Sequence, residues 1–425
     1  MNKLDSILKE VLKKIEPPKE DLKVIDSSLK EVLEKIKQRI KKLKIAAEIF
    51  VGGSFAKDTV IKKDKYDVDI FIRFDKKHEK QGISKLAAEI LKVMKNVEVV
   101  HGSRDYFVIK VSPEFVIELI PVIKVSKPEQ AENITDLSYS HVNYIKKKIK
   151  NKKILDEIRI AKAFCYANNC YGAESYISGF SGYAIELLVY YYGSFLKFLK
   201  AMIKLDGKKE IIDIEKHFKK KTDVLMDLNA SKLFSPIILI DPTFKQRNAL
   251  AALSKETFEK FKKAAKDFLK NPKLEAFEEK KTDIEQLRKD AIRKNQEFVW
   301  LQAETNKQDG DIAGSKLLKF YRHLESEIAK LFEIKNKGFN YNGKKSARFF
   351  FTAKSKGEII SAGPKAEDKE SAAKFKARHK NTFVKSGRIF AKDKITHSLK
   401  DFINLWSRKN AHKIKEMYIV KMSVL

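Results

Sequence analysis

The sequence predicts an α+β multidomain protein. Its 425 residues, 43% of them hydrophobic, exceed what one core can hold and suggest about two to four globular domains. Apolar residues recur at helical spacing in some segments, as at Leu4, Ile7 and Leu8. In others they fill β-rich runs such as residues 115–125. Past Pro272, a strand–helix–strand–strand order is typical of a small α+β domain.

The same patterns predict the individual elements. In residues 1–44, Pro17 and Pro18 divide two amphipathic helices. The other elements predicted in the first 130 residues are strands at 46–51 and 66–72, a helix at 84–95 and a hairpin of strands at 106–111 and 115–125. The later predictions are a polar connection at 133–144, helices at 152–168, 181–199 and 254–269, a strand at 237–240, and strands at 298–303, 347–353 and 358–361 with a helix at 317–331.

Charge and cysteine content narrow the function classes. The formal net charge of +32 suits a polyanionic partner, and nucleic acid is the leading candidate. The alternative explanation of this charge is a Lys-rich proteome, in which many of the lysines are only solvated. Cys165 and Cys170 fit neither a zinc site nor a disulfide framework, which indicates an intracellular, cytoplasmic protein. The charged N-terminus is not a signal peptide. The most apolar window, 182–199, contains Glu186 and Lys197, so we expect a buried helix and no membrane partner.

A glycine turn followed by two carboxylates is the most informative motif. Gly52 and Gly53 let the backbone turn without a Cβ penalty. Ser54 then stands where a helix can begin, with backbone N–H groups able to hold a phosphate. Asp67 and Asp69 are two residues apart on a predicted strand and therefore share one face. This combination suits metal-dependent nucleotidyl transfer.

Glu118 strengthens that interpretation. It is an isolated carboxylate in an apolar strand, where it is costly unless it is paired or bound to metal. Two metal ions about 4 Å apart need oxygen ligands from several strands, and three carboxylates suffice. The spacing of Asp67 and Asp69 alone is weak evidence, since Asp309-x-Asp311 shares it, and an acidic edge strand is the alternative.

These motifs carry a family resemblance. Gly53-Ser54 with Asp67-x-Asp69 and a distant third carboxylate resembles the DNA polymerase β-type nucleotidyltransferase superfamily. Three later stretches resemble the archaeal class I CCA-adding enzymes, which are tRNA nucleotidyltransferases. They are Lys162 through Tyr171-Gly172-Ala173-Glu174; Gly179-Phe180-Ser181-Gly182-Tyr183 with Glu186-Leu187-Leu188 and Tyr192-Gly193-Ser194-Phe195; and Asp241-Pro242 with Arg247-Asn248 and Ala251-Ala252-Leu253-Ser254. The resemblance is good over roughly residues 40–270 and weaker beyond them.

The resemblance implies a domain order. A polymerase β-like nucleotidyltransferase head would span 1–140, and a helical neck that helps to recognise the base would span 141–235. An α+β body would combine 236–272 with 365–425, around a tRNA-binding tail at 273–364. The implied partners are the tRNA acceptor arm, CTP and ATP. The oligomeric state stays open, with a homodimer among the alternatives.

The resemblance also implies the site. Asp67, Asp69 and Glu118 would be the catalytic carboxylates and would bind two Mg²⁺ ions. The residues expected to bind ATP or CTP are Ser54, Lys57, His141, Lys162, Tyr171 and Arg247. Of these, Ser54 and Lys57 would hold phosphates and Arg247 would help to read the base. Without the resemblance, Lys162 could lie on a solvated helix face, Tyr171 could be a core aromatic and Arg247 could make a simple phosphate contact.

Two positions depart from the family pattern. Glu118 stands where the family usually has Asp, and its extra methylene moves the carboxylate outward by about one carbon–carbon bond unless the strand adjusts. Lys57 stands where Arg is common, and lysine offers a point charge instead of a bidentate fork. We expect both departures to affect rate or metal preference without removing the chemistry.

The expected function is addition of C, C and A to tRNA 3′ ends from CTP and ATP, with release of pyrophosphate and including repair of incomplete ends. One alternative is another template-independent nucleotidyltransferase, of the poly(A) or oligoadenylate type. The other is a tRNA-binding protein with an inactive site.

Overall fold

The computed structural model describes residues 3–102, 104–205, 207, 209–279 and 282–425. The chain divides into two compact units, Met1–Lys280 and Lys281–Leu425. The helices of the first unit are α1 (Lys3–Ile15), α2 (Lys19–Lys42), α3 (Gly53–Ala56), α4 (Ile83–Leu91), α5 (Ser138–Lys148), α6 (Lys152–Ala167), α7 (Gly182–Tyr192), α8 (Phe195–Ile203), α9 (Lys221–Asp227) and α10 (Lys255–Lys270). Its strands are β1 (Ala47–Val51), β2 (Tyr66–Phe74), β3 (Val97–Val100), β4 (Tyr106–Ser112), β5 (Phe115–Ile123), β6 (Glu210–Asp213), β7 (Ile237–Asp241) and β8 (Phe244–Asn248).

The first sheet of this unit has the strand order β1-β2-β5-β4-β3. β4 and β5 form the predicted hairpin, and β2 runs parallel to β5. Val68, Ile70 and Ile72 on β2 are buried in a core that also contains apolar residues of α2 and α4. The sequence pattern of β2 requires this arrangement because alternate residues of a strand point to opposite faces. Asp67 and Asp69 therefore lie on the face away from this core.

Several other helices of the first unit surround a second core rich in aromatic rings. It contains residues of α1, α6, α7, α8 and α10. Phe164 on α6 is fully buried, and its ring centroid lies 5.5 to 5.9 Å from those of Phe195, Phe261, Phe268 and Phe277. This core supports α6, which carries the predicted site residue Lys162, and α7, whose first residue, Gly182, lies close to Tyr171.

Replacing Phe164 by Ala is expected to lower the free energy of unfolding of the first unit by about 3–5 kcal/mol, the usual cost of emptying a large aromatic site. Chemical denaturation followed by circular dichroism measures this loss. Phe234→Ala is the control, because Phe234 is 82% exposed and its loss should change the free energy of unfolding by less than about 0.5 kcal/mol. Equal effects of both variants would contradict the assignment of the core.

Two predictions in the first unit are wrong in detail. The helix predicted at 181–199 is two helices, because Gly193 adopts a left-handed backbone (φ 79°) after α7 and Ser194 then caps α8. The polar connection predicted at 133–144 is helical from Ser138 onward, where α5 begins. The strand predicted at 237–240 is β7, and its neighbours β6 and β8 in the short sheet ordered β6-β7-β8 were not predicted. The neighbouring prediction that Ser254 caps α10 is confirmed, since its side chain accepts a hydrogen bond from the Thr257 N–H.

The second unit is also α+β. Its elements are α11 (Ile284–Arg293), β9 (Glu297–Thr305), α12 (Asp311–Leu331), β10 (Phe332–Tyr341), β11 (Ser346–Ser355), β12 (Glu358–Lys365), α13 (Lys369–Arg378), β13 (Thr382–Lys385), β14 (Arg388–Lys394), α14 (Leu399–Lys409), α15 (Ala411–Glu416) and β15 (Ile419–Val424). One sheet is ordered β10-β11-β9-β15 and packs against α12 and α14, and a second is ordered β12-β14-β13. β10 was not predicted, because it is an edge strand whose lysines and asparagines weaken the alternating pattern. None of the described helices combines the length and apolar character needed to cross a membrane.

Candidate active site

Three carboxylates come together on the open face of the first sheet. Asp69 on β2 lies directly opposite Glu118 on the parallel strand β5, so the two residues are neighbours in register. Asp67 precedes Asp69 on the same face of β2 and forms an ion pair with Lys63, with Nζ and Oδ1 3.0 Å apart. The structure thus brings together the three predicted catalytic carboxylates.

The electrostatics of this group are those of an acidic cluster with too little positive charge. Burial and the neighbouring charge of Asp67 raise the pKa of Asp69 to about 6. Burial and the charges of Asp69 and Asp67 raise the pKa of Glu118 to about 7. A hard divalent cation would offset this repulsion, and carboxylate oxygens are the donors such a cation prefers.

The side chains are not arranged around a common point. Within residues 3–102, 104–205, 207, 209–279 and 282–425, no group of three or more His, Cys, Asp or Glu residues has a geometry that could hold a metal ion. Metal binding would therefore require the carboxylates to reorient, and Asp67 would have to share or release Lys63. The donor set itself fits Mg²⁺ by its chemistry.

The glycine turn packs directly against this cluster. Gly53 has a left-handed backbone (φ +59°), and a Cβ atom built on it would lie 1.7 Å from Oδ2 of Asp69. A Cβ on Gly52 would lie 2.4 Å from the ring of Phe71, and the Gly52 N–H donates to the Asp69 carbonyl at 2.8 Å. Neighbouring side chains thus approach the backbone so closely at both positions that only glycine fits without a shift. Ser54 follows in α3, and its carbonyl accepts a hydrogen bond from the Thr59 N–H at 3.0 Å.

Two of the predicted phosphate ligands share one buried carboxylate. Lys57 donates to Oε2 of Glu186, and Lys162 donates to Oε1, each at 2.7 Å. Lys162 also donates to the hydroxyl of Thr59 at 2.7 Å, and that hydroxyl donates to Oε1 of Glu186 at 3.0 Å. We call Lys57, Thr59, Lys162 and Glu186 the lysine–glutamate network. Its charged side chains are at most 9% exposed.

Burial and charge act in opposite directions in this network. Burial lowers the pKa of Lys162 to about 8, although the carboxylate of Glu186 acts against the shift. Burial alone would raise the pKa of Glu186, but Lys162 and Lys57 outweigh it and lower that pKa to about 2. Near neutral pH the network therefore holds an ionised carboxylate between two ammonium groups.

Tyr171 lies in a surface depression that also contains residues of the lysine–glutamate network and one of the carboxylates, Asp67. The depression is lined by Ser54, Thr59, Val60, Ile61, Lys63, Tyr66, Asp67, Lys162 and Tyr171. Burial and the charge of Glu186 raise the pKa of the Tyr171 hydroxyl, which therefore stays protonated. A Cβ on Gly182 would lie 2.8 Å from that hydroxyl, so α7 approaches it closely through a glycine. Four predicted site residues, Ser54, Asp67, Lys162 and Tyr171, thus line one depression.

The other two predicted nucleotide ligands meet at a different carboxylate. Arg247 donates to Oδ2 of Asp241 at 2.7 Å, and Nε2 of His141 lies 2.9 Å from the same oxygen. Tyr183 donates to Oδ1 at 3.1 Å, and its ring stacks on that of His141 at 4.3 Å. Burial lowers the pKa of His141 although Asp241 opposes the shift, and Arg247 and Lys57 add smaller lowering effects. Arg247 also lines a second depression, whose other walls are Ile134, Ala173, Ser181, Lys232, Asn248, Ala249, Ala251 and Ala252.

Sequence reasoning missed the two carboxylates that organise these cations. Glu186 is fully buried on α7, and Asp241 is fully buried at the end of β7. Both gave a signal, because each is an acidic residue in an otherwise apolar run. Neither signal identified a partner, since Lys57 is 129 residues from Glu186 and His141 is 100 residues from Asp241.

Comparison with known families divides the first unit in two. Residues 1–154 match the family described as the Second Messenger Oligonucleotide or Dinucleotide Synthetase domain. Residues 156–278 match the family described as tRNA nucleotidyltransferase, second domain. The first match contains the glycine turn and the carboxylates, and the second contains Lys162, Tyr171, Glu186 and Arg247.

Curated relatives are archaeal CCA-adding enzymes. The chain is 42% identical to that of Nanoarchaeum equitans over 213 residues, which is 50% of this chain and about half, 52%, of the relative. It is 31% identical to that of Saccharolobus solfataricus over 307 residues, covering 69% of this chain and 68% of the relative. The chain is 28% identical to that of Methanocaldococcus jannaschii, and the match covers 94% of this chain and 91% of the relative.

The fold resembles that of solved nucleotidyltransferases. The Cid1 poly(U) polymerase, in a structure with bound MgATP, superimposes with a TM-score of 0.51. The superposition covers 65% of this chain and 98% of that one at 12% sequence identity, so the likeness concerns the fold alone.

Proposed function

The chain belongs to the family of CCA-adding enzymes, which are tRNA nucleotidyltransferases, and we propose that it adds C, C and A to the 3′ end of tRNA from CTP and ATP. Pyrophosphate leaves at each addition, and incomplete tRNA ends are substrates as well. The observation that best supports this proposal is the depression shared by Ser54, Asp67, Lys162 and Tyr171, which puts a carboxylate of the cluster beside a cationic group.

Asp67, Asp69 and Glu118 are proposed to hold two Mg²⁺ ions. The raised pKa values of Asp69 and Glu118 support this, because they arise from burial and from repulsion between the carboxylates, and a bound cation would offset both effects. When bound, Mg²⁺ lowers the pKa of the attacking 3′-hydroxyl and neutralises charge on the triphosphate and the leaving pyrophosphate.

The remaining residues bind and orient the nucleotide. Lys57 and Lys162 offer two ammonium groups to the triphosphate, and Ser54 offers its hydroxyl and backbone. Tyr171 and His141 are proposed to contact the sugar or the triphosphate. Arg247 is proposed to contact the base, with its guanidinium oriented by Asp241 at 2.7 Å.

The tRNA partner is supported by charge. With a net charge of +32, the protein can bind the acceptor arm through phosphate contacts, and duplex RNA is mostly recognised by shape. The proposed head (1–140) and neck (141–235) belong to the first unit, and the second unit is proposed to contribute to tRNA binding. We also propose a cytoplasmic location, where such a substrate is processed.

Incubating the protein with tRNA that lacks its CCA end, with Mg²⁺ and one labelled nucleotide at a time, tests the proposal. We expect CMP to be incorporated on this tRNA, and AMP only on tRNA that already ends in CC. A single-stranded RNA of the same length is the control and should remain unextended. AMP addition to any RNA would favour a poly(A)-type enzyme, and tRNA binding without Mg²⁺-dependent incorporation would indicate a binding protein with an inactive site.

A further inference from the structure

We propose that Glu186 is a positioning residue for nucleotide binding: its two carboxylate oxygens hold Lys57 and Lys162 next to each other for the triphosphate. This inference rests on the proposed function, because it takes the triphosphate of CTP or ATP as the ligand of these lysines. Glu186 itself does not line the depression, whereas Lys162 does.

The first argument is geometric. Two separate segments meet Glu186 of α7: the segment directly after α3, which carries Lys57 and Thr59, and α6, which carries Lys162. Both oxygens are used, with donors at 2.7 to 3.0 Å, and the side chain is fully buried. Each lysine has several rotatable bonds, so a shared anchor restricts both ammonium groups to one place before a ligand arrives.

The second argument concerns charge. A purely structural buried ion pair needs one cation for one carboxylate, and even such a pair contributes little to stability. Here one carboxylate receives two ammonium groups, which leaves the network with a net positive charge. Asp69 balances part of this charge, since Lys57 acts on that carboxylate, and a triphosphate supplies a further anion for the two ammonium groups.

The third argument is that Glu186 keeps Lys162 charged. The charged or titratable groups around Lys162 are Glu186 on α7, Lys57 and Lys63 on the segment after α3, and Tyr171 at the same depression. Burial, Lys57 and Lys63 all favour the neutral amine, and Glu186 alone opposes them among the causes that set its pKa to about 8. Without the carboxylate, Lys162 would lose its proton at lower pH.

Glu186→Gln tests the proposal, and Asp136→Asn is its matched control. Asp136 is also a fully buried carboxylate of the first unit, paired with Arg104, and its Oδ1 accepts the Ile123 N–H at 2.9 Å. We expect the Kd of MgATP, measured by calorimetry without tRNA, to rise about tenfold or more in Glu186→Gln, as for loss of one well-formed charged contact. KM for both nucleotides should rise more than kcat falls. The alkaline limb of the kcat/KM profile should move down by about one pH unit.

The control separates positioning from stability. Asp136→Asn should lower the melting temperature, yet leave the Kd of MgATP within about twofold of the wild type and the alkaline limb unmoved. If Glu186→Gln behaves like Asp136→Asn, Glu186 has only a structural role and the proposal is wrong.

A second variant covers the case in which Glu186→Gln fails to fold. Thr59→Val removes the hydroxyl that joins Lys162 to Glu186 while keeping nearly the same volume. It should weaken MgATP binding about threefold, in line with the modest net contribution of one hydrogen bond, and unchanged affinity would contradict the proposal. If the wild-type protein binds MgATP but extends no tRNA, the proposed function is refuted, while the role of Glu186 is still tested by the Kd values above. If the wild-type protein does not bind MgATP, both the proposed function and the role of Glu186 are refuted.

Discussion

Replacing Asp69 by Asn is expected to lower kcat for nucleotide addition by about 10³-fold or more, because a catalytic metal site contributes several kcal/mol of transition-state stabilisation. Asp69 lies between the other two carboxylates: it follows Asp67 on β2 and faces Glu118 on β5. An amide keeps the shape of the side chain but loses its charge and one acceptor oxygen. Affinity for tRNA should remain, since this change affects no basic residue.

The same variant should not destabilise the metal-free protein. The pKa of Asp69 is raised to about 6 in the folded state, from a usual value near 3.9. A carboxylate whose folded pKa lies above its unfolded pKa costs stability once the pH exceeds the unfolded value, and the full cost is present above the folded value. At pH 8, Asp69→Asn removes that cost, so the melting temperature in EDTA is expected to rise or stay equal. A substitution that lowers activity but raises stability usually marks a residue that function requires in an energetically unfavourable environment.

Single-turnover incorporation of CMP and thermal denaturation in EDTA measure the two effects. Asp309→Asn is the control, because Asp309-x-Asp311 has the same spacing, and Asp309 is exposed. This variant should retain the wild-type rate. Retention of more than about a tenth of the wild-type rate by Asp69→Asn would exclude an essential role for this carboxylate.

Four of the five strands of the first sheet could be predicted because they carry strong local patterns, whereas the short strand β3 was not predicted. β2 alternates acidic and apolar residues and then continues as the apolar run 70–72, and β4 and β5 flank a Ser-Pro-Glu turn. The break at Gly193 was harder to predict, because the tyrosines before it and Phe195 after it continue the apolar run of one long helix. β10 lacked a strand pattern because an edge strand tolerates exposed lysines.

The candidate site was predictable only in part, for a physical reason. Residues on one strand or turn, such as Gly53, Asp67 and Asp69, lie close together along the chain. The spacing of a strand fixes their common face. Glu186 and Asp241 each bind one cation that is at least 100 residues away, Lys57 and His141 respectively, and a single sequence does not specify which cation a buried carboxylate will meet. The resemblance supplied Lys57, Lys162, His141 and Arg247 as separate ligands, and the structure groups them in pairs.

Replacing Gly53 by Ala is expected to reduce kcat/KM by about 10²-fold or more, since a displacement of about 1 Å in a catalytic group can have that effect. The added Cβ would lie 1.7 Å from Oδ2 of Asp69, so either the turn or the carboxylate must move. Alanine also resists the left-handed backbone of Gly53, which costs about 1–2 kcal/mol. The variant therefore combines a stability loss with a specific displacement of Asp69.

Gly82→Ala separates these two effects. Gly82 also has a positive φ, +80°, but the nearest atom to an added Cβ is Cδ of Lys85 at 3.8 Å, an ordinary contact. Both variants should lose a similar amount of stability in chemical denaturation, because both force alanine into a disfavoured backbone. Only Gly53→Ala should lose activity, and at temperatures where both variants are fully folded. Because the added Cβ of Gly53→Ala collides with Asp69, raising the Mg²⁺ concentration should restore part of the rate in this variant. Equal activity of the two variants would show that the contact between Gly53 and Asp69 has no part in the reaction.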